Sequence, residues 1–581
     1  MGWQAVGTGP DGVVVRQNQN SGFGLGGIPR NGEAADRFRA PSTGRAPSPG
    51  ALAGRVVALV TFGDNLPKQF LGEKIAQTVR DETGESVLLV QLTPASGPTA
   101  SAGAWGPSAL LAGAADAQAA LPRNNGSISS LTLRVSDGAG DAGEVAELLR
   151  LLGGHYACVV VRGDFMETPR WRLLDFASLA DSVYLCMHPE EDQFRRCESF
   201  TADLRPRLRT DPAVVSAVLC LGAGESLGSH ADFCDTHAHV FLHECPVSDY
   251  AARTAAPAEW FLKDVRRLAR EIGRCRLGLA LSAGGAKGLA HIGVIQILEE
   301  NGIEVDIIAG CSMGAYIAAA WASGCDGPTL EKLARENEAL WGFLRLIDPV
   351  ILPRQGFLQG DAVRRRLENT LGGAHFADLA RPMRAVATNL DTLDCKVFAS
   401  GQVTRAVQAS CAIPGVVMPV TLGGETYVDG GVSDPLPVDV LAEMKVDRII
   451  AVNAIPPSAF LRCCREIERE QAEVSRQRFK LLKALNRQVN YFARGNILDI
   501  MMRAVHGGQI RMAERACQQA DLVLRPLAID AHWHDFNHPG KYIALGRKIA
   551  LQHLDEIKAL AQPKAPRHES ESAHLEMASA I

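Results

Sequence analysis

The segment VDIIAGCSMGAYIAAAWASG at 305–324 constrains this chain more than any other stretch. It reads as an apolar β-run, a sharp turn Gly310-Cys311-Ser312-Met313-Gly314, and a helix of small residues. A strand–turn–helix of this kind belongs to a parallel α/β sheet, and its turn exposes one hydroxyl at the top of that sheet. Gly310 and Gly314 remove the Cβ atoms that would clash in so tight a bend. Ser312 also sits at a helix N-terminus, where developing negative charge is favoured. G-x-S-x-G alone recurs by chance, and a serine that merely caps the helix is the plain alternative. The strand–turn–helix setting and the partners below favour a nucleophile.

A second glycine-rich turn lies upstream. The apolar run at 277–281 leads into Ser282-Ala283-Gly284-Gly285-Ala286-Lys287-Gly288, and a helical pattern begins at once. Acyl transfer needs amide donors aimed at the carbonyl oxygen as it becomes an oxyanion. The N–H groups of Gly284, Gly285 and Ala286 are candidates, with Lys287 adding positive charge. A dinucleotide fingerprint is the competing reading, with Glu304 or Asp306 as the ribose contact. It requires a glycine where Ala283 stands, and it leaves Ser312 without a role.

A serine hydroxyl needs a base at neutral pH. The best carboxylate is Asp429 in Tyr427-Val428-Asp429-Gly430-Gly431, where Gly430 and Gly431 let the chain turn toward another loop. Asp-Gly is also a common turn element, and that bland origin would win if Asp429 stood alone. Asp434 precedes a proline, and Asp439 looks like an early-helix acid. A histidine base is the rival: His532, His534 and His538 follow Asp429 in the Ser…Asp…His order of ordinary α/β-hydrolases. They fall in a loop-like stretch, DAHWHDFNHPG. His291, on the helix after the glycine turn, reads as a packing or capping residue.

At 581 residues the chain is too long for one ordinary core. The expected organisation is a disordered segment at 1–50, a parallel α/β accessory domain at 51–250, an amphipathic connector helix at 251–276, a catalytic α/β domain at 277–561 and a disordered tail at 562–581. The accessory strands are expected near 56–61, 86–92, 158–162, 182–187 and 216–221, with 94–130 as a long loop and 541–561 as a closing amphipathic helix. A net charge of -5 argues against a dedicated nucleic-acid binder. The 14 cysteines form no C-x-x-C pair and no zinc-ligand spacing, so no metal is expected and free thiols in a reducing compartment are. No signal-like segment and no membrane-length apolar run is visible.

Three stretches resemble the patatin-like phospholipases, particularly bacterial relatives of neuropathy target esterase: LALSAGGAKGLAHIGVIQILEENGIEVDIIAGCSMGA, VATNLDTLDCKVFASGQVTRAVQASCAIPGVVMPV and YVDGGVSDPLPVDV. NILDIMMRA and the closing helix extend the likeness over roughly 275–561. The resemblance implies a three-layer α/β/α fold and a Ser–Asp dyad without a catalytic histidine. It makes Ser312 the nucleophile and Asp429 the base, and it gives Gly284, Gly285 and Ala286 to the oxyanion loop. It implies hydrolysis of phospholipid or lysophospholipid esters without a cofactor. Ala283 and Ser282 depart from the family pattern, where glycine is usual, and this bears on the oxyanion geometry.

Residues 51–250 resemble, more loosely, a degenerate P-loop or Rossmann-like domain of the partitioning-ATPase type. GDNLPKQF occupies the phosphate-loop position without the GK[ST] ending, so nucleotide hydrolysis is not expected. The family's cyclic-nucleotide-binding domain has no visible counterpart. Basic, apolar-flanked helices at 257–274 and 461–494 could rest on anionic headgroups, although such a pattern more often packs on its own domain. The expected location is the cytoplasm, with peripheral contact at the inner membrane face as the variant a lipid substrate would bring. A soluble carboxylesterase or thioesterase, or a weakly active regulatory lipid-binding protein, are the alternative functions.

Overall fold

The computed structural model describes residues 54–94, 107–112, 128–135, 142–208, 215–225, 238–254, 256–336, 348, 350, 356–458, 460–462, 496–527 and 535–562. Two sheets organise them. The first contains β1 (Arg55–Thr61), β2 (Val87–Pro94), β3 (Ser129–Val135), β4 (Cys158–Asp164), β5 (Ser182–Met187), β6 (Val215–Cys220) and β7 (Ala238–Leu242). Their order is β3-β2-β4-β1-β5-β6-β7, and every pairing is parallel. Both faces are covered, as parallel sheets require: Val56, Ala58 and Val60 enter one core, and Val57 and Leu59 the other.

Two strands of this sheet, β3 and β7, escape the sequence reading, and both are edge strands. The stretch expected as a loop at 94–130 also contains a helix at Pro107–Ala112. At the phosphate-loop position, the Lys68 ammonium is held by this chain's own acids. It lies 2.9 Å from Asp164, 3.1 Å from Asp64 and 3.6 Å from Glu167.

The helix Glu259–Ile272 connects the two sheets. Its Phe261, Val265, Leu268 and Ile272 are buried in the core of the first sheet, each worth about 1.5–3 kcal/mol by area transfer. Arg270 lies 3.2 Å from the buried Asp306, and Arg267 donates to the Ala380 carbonyl. Phe261, Val265, Leu268 and Ile272 of this helix are thus taken up internally, and Trp260 is half-buried. Of the second basic helix expected, 463–494 lies outside the described residues.

The second sheet holds β8 (Leu277–Leu281), β9 (Ile307–Cys311), β10 (Met383–Asn389), β11 (Cys395–Phe398), β12 (Val420–Leu422), β13 (Glu425–Asp429), β14 (Arg448–Val452) and β15 (Leu522–Leu524). The order is β12-β13-β10-β9-β8-β14-β15, with β11 also on β10; β11, β12 and β13 pair antiparallel. Alternation divides the side chains between layers: Leu277, Leu279 and Leu281 point to one core, and Ala280 to the other. The fold is three-layer α/β/α, as expected.

On the first face, helices Ala290–Glu300 and Pro539–Gln552 press together through glycines. A Cβ built on Gly293 would lie 2.0 Å from the Ile543 carbonyl oxygen, and one on Gly546 would lie 1.9 Å from that of Ala290. The closing segment is two helices, broken at His553, instead of one. Gly293→Ala is expected to destabilise by roughly 2 kcal/mol or more, because the clash is with backbone and cannot be relieved by a rotamer. Denaturant titration, read as a fall in midpoint at constant slope, checks this.

Candidate active site

Ser312 stands between β9 and the helix Met313–Ala322 at φ 54°, ψ -120°. This left-handed φ is costly for a residue with a Cβ and persists only where the surroundings impose it. They do so here. A Cβ on Gly314 would lie 2.2 Å from the Leu281 carbonyl oxygen, and one on Gly310 would lie 2.7 Å from the Ala315 nitrogen. The Ser312 amide donates to the Ser410 hydroxyl at 2.9 Å, and that hydroxyl donates to the Val386 carbonyl at 2.5 Å. Ser410 is fully buried, so the turn is tied to β10 from beneath.

Strand register accounts for what meets the serine. Consecutive β10 residues, Val386 and Ala387, pair with Cys311 of β9 and Asp429 of β13. The residue after Cys311 therefore abuts Asp429. Ser312 Oγ donates to Asp429 Oδ2 at 2.5 Å, across 117 positions of sequence. The other carboxylate oxygen accepts the Gly431 amide at 2.7 Å. The Asp429 amide itself donates to the Ala412 carbonyl. Gly430 has no room for a side chain, since its Cβ would lie 2.2 Å from the Val386 oxygen.

Burial raises the Asp429 carboxyl from 3.8 to about 6, against the opposing pull of the hydrogen bonds from Ser312 and Gly431. Asp434 is pushed up to about 7, by burial first and then by the charge of Asp439. Its amide donates to the Gly430 carbonyl.

The glycine turn lies alongside. Its 3-10 helix spans Gly285–Leu289, and the ordinary helix starts at Ala290. The Ala283 amide donates to the Pro435 carbonyl, and the first turn-closing bond runs from the Lys287 amide to the Gly284 carbonyl. Amides ahead of that bond have no intrahelical acceptor. A Cβ on Gly431 would touch the Ala283 methyl at 3.5 Å, and one on Gly288 would lie 2.7 Å from Met313 Cγ. These contacts bring the turn against both other motifs. Gly285 takes φ 56°, whereas Ala283 is not among the described residues at positive φ, so its methyl meets no left-handed penalty.

Lys287 is pulled down to about 8 by burial. His506, on the helix Ile497–Ala516, is also lowered, by burial first and then by the Lys287 charge. That helix reaches the dyad as well, since a Cβ on Gly431 would lie 2.6 Å from Gln509 Nε2.

The histidines fall elsewhere. His291 is buried, donates Nε2–H to the Ser282 carbonyl at 2.9 Å and is lowered to about 4 by burial, which keeps it neutral. His538 pairs with Asp535 at 2.6 Å and is exposed. His532 and His534 lie outside the described residues. Sequence reasoning missed Ser410, Gln509 and Cys411, whose thiol lies beside the Ser312 hydroxyl and is driven far up by burial. The only signal for the first and third was their place in the quoted VQASCAIPG run.

Among the described residues no group of His, Cys, Asp and Glu could hold a metal, every described cysteine is a free thiol, and no helix is long and apolar enough to cross a membrane.

Residues 279–442 match the family described as patatin-like phospholipase. An uncharacterized NTE family protein of Mycobacterium bovis is 39% identical over 180 residues, covering 31% of this chain and 49% of that protein. The lysophospholipase nte1 of Aspergillus fumigatus is 35% identical over 198 residues, covering 33% of this chain and 13% of its own length. The chain thus spans about half or less of these curated relatives. Among solved structures, VipD from Legionella pneumophila aligns at 16% identity and TM-score 0.29, over 48% of this chain and 67% of VipD. The MinC:MinD complex of Aquifex aeolicus aligns at 15% identity and TM-score 0.30, over 37% and 95%. The sequence match, in the stretch whose motifs meet beyond the ends of β8, β9 and β13, identifies residues 279–442 as a patatin-like phospholipase domain similar to the NTE family proteins.

Proposed function

We propose that this chain hydrolyses fatty-acyl esters of phospholipids or lysophospholipids through an acyl-enzyme, with Ser312 as nucleophile and Asp429 as base. The observation that carries the reading is the 2.5 Å bond between a strained serine hydroxyl and a buried carboxylate. A carboxylate raised to about 6 is a stronger base than an ordinary one and is still ionised at neutral pH.

Asp429 Oδ2 takes the Ser312 proton as Oγ attacks the acyl carbonyl. The oxyanion meets the amides of Gly284, Gly285 and Ala286, with the Lys287 charge nearby. Collapse of the tetrahedral adduct breaks the ester bond, and the departing alkoxide receives the proton from Asp429. A water, deprotonated by the same carboxylate, then attacks the acyl-enzyme, releases the fatty acid and restores the Ser312 hydroxyl. Residues 277–561 are proposed as the catalytic unit and 51–250 as an accessory one. Peripheral contact with a lipid surface follows from the substrate class.

The test is hydrolysis of vesicle-dispersed phospholipid and lysophospholipid beside short-chain esters, with fluorophosphonate labelling of the purified chain. Labelling at Ser312 with cleavage of lipid is the expected result. Cleavage of short esters alone would replace the reading by a soluble esterase or thioesterase, and no labelling would point to a regulatory lipid-binding protein.

Ser410→Ala should lower kcat by roughly ten- to a hundredfold with little change in KM, because the Ser312 amide loses its acceptor and the nucleophile its fixed position. The orphaned amide should also cost about 1–3 kcal/mol of stability. Steady-state kinetics and a melting curve on one preparation check both.

A further inference from the structure

We propose, on the strength of the dyad reading above, that Thr388, backed by the hydroxyl of Ser433, is a positioning residue for the base. It fixes the peptide that links Asp429 to the amide holding its carboxylate.

Thr388 is buried on β10, one residue beyond Ala387, the register partner of Asp429. Its hydroxyl lies 3.1 Å from the Asp429 carbonyl oxygen and 2.8 Å from the Ser433 hydroxyl. A carbonyl only accepts, so the single threonine proton goes to Asp429, and the short contact with Ser433 is donated by the serine. Two hydroxyls from separate elements, 45 positions apart, therefore act in series on one backbone oxygen of the base. Hydrogen bonds linked in this way polarise and strengthen each other.

Two peptide units follow the Asp429 Cα. The first, Asp429–Gly430, carries the carbonyl that Thr388 holds. The second, Gly430–Gly431, carries the amide that donates to Asp429 Oδ1 at 2.7 Å. Its own oxygen accepts the Ser433 and Asp434 amides at 3.0 and 2.8 Å. Gly430 stands between the two, and a glycine lets such planes turn independently. Each plane then needs its own tether, and Thr388 is the side chain that holds the first. Without that hydroxyl the first plane gains freedom to turn. The carboxylate then no longer keeps its fixed place 2.5 Å from Ser312 Oγ.

The same bond bears on charge. Burial raises the Asp429 carboxyl, and the hydrogen bonds from Ser312 and Gly431 oppose it. The other titratable groups around it are the thiols of Cys311 on β9 and Cys411 after the helix Val403–Ser410, both driven up by burial and so neutral, and the Asp434 carboxyl on its own loop. From the helix Ile497–Ala516 the uncharged Gln509 approaches. No cation among the described residues shifts the carboxyl. A loosened Gly431 bond would thus leave burial less opposed and raise the carboxyl further.

The test compares wild type, Thr388→Val, Thr388→Ser, Ser433→Ala and Asp429→Asn as full chains. Hydrolysis of a short-chain ester and of vesicle-dispersed lysophospholipid is followed from about pH 5 to about pH 9, with a melting curve for each variant. Thr388→Val, which keeps the shape and loses the hydroxyl, should lower kcat about tenfold with KM within about twofold, and move the acid limb up by about half a pH unit. Thr388→Ser, which keeps the hydroxyl, should recover kcat to within about threefold of wild type and leave the limb in place. Ser433→Ala, at a half-buried position, should shift both readouts the same way by a smaller amount. A lower melting temperature with kcat and limb unaltered in Thr388→Val would make the hydroxyl a structural tie and overturn the proposal. A Thr388→Ser variant no better than the valine would do the same. Should Thr388→Val not fold, unaltered kcat and limb in Ser433→Ala overturn it. Hydrolysis retained in Asp429→Asn would overturn the dyad reading itself, whereas an inactive Asp429→Asn beside an unaltered Thr388→Val overturns the positioning role alone.

Discussion

Asp429→Asn is expected to abolish ester hydrolysis, by at least about a thousandfold, while leaving the protein as stable as the wild type or more so. Asn retains an oxygen for the Gly431 amide and a polar partner for the Ser312 hydroxyl, but it cannot accept the serine proton. The stability half of the expectation follows from linkage. The folded carboxyl titrates at about 6 against an ordinary value of 3.8, so between those values the folded state binds the proton more tightly than the unfolded chain. Stability contributed by this group is therefore fully present below about pH 4 and lost as pH rises toward 6. At neutral pH the buried charge opposes folding, and the difference, at about 1.4 kcal/mol per pH unit, is an upper bound of about 3 kcal/mol. An uncharged Asn escapes that cost. Hydrolysis moves the opposite way, since only the ionised form is a base: wild-type activity should fall as pH drops through about 6. Parallel pH profiles of rate and of denaturant midpoint separate the two effects. Retained hydrolysis in the Asn variant, combined with loss in a His538→Ala variant, would move the base to a histidine.

Ser312→Ala should eliminate turnover to a comparable or greater degree and abolish fluorophosphonate labelling, since no other side chain replaces the nucleophile. Ser312→Gly should be equally inactive yet melt higher than Ser312→Ala, by an amount corresponding to about 1–3 kcal/mol. Glycine adopts φ 54° without the steric cost that serine and alanine share there. The pair distinguishes loss of the hydroxyl from release of the strained turn. Equal melting temperatures for the two variants would show that the turn stores no strain.

Much of the candidate site was legible in the sequence, because its three turns rest on local codes. The G-x-S-x-G turn, the glycine turn and the Asp-Gly-Gly turn each place a residue type in a backbone geometry that only a few neighbours allow, and each is contiguous in sequence. The central strands were legible for the same reason, as short apolar runs buried on both faces. Edge strands β3 and β7 were not. The first is half exposed and follows a stretch rich in Ala, Gly, Ser and Pro, so its burial signal is weak. Local pattern likewise did not reveal the break at His553, a single residue at φ -108°, ψ 18° between two helical runs.

By itself, the sequence determined the fold class, the two-sheet organisation and the three motifs with their individual residues, since each follows from short-range periodicity and turn sterics. Only the tertiary structure decided which residues meet. The register of β10 brings β9 and β13 to adjacent positions, Ser410 reaches the Ser312 amide from 98 residues away, and the connector helix buries Phe261, Val265, Leu268 and Ile272 on the first sheet. The physical reason is that long-range partners are selected by strand pairing and by the burial of polar groups that must find an acceptor. Neither leaves a mark on the nearest neighbours in the chain.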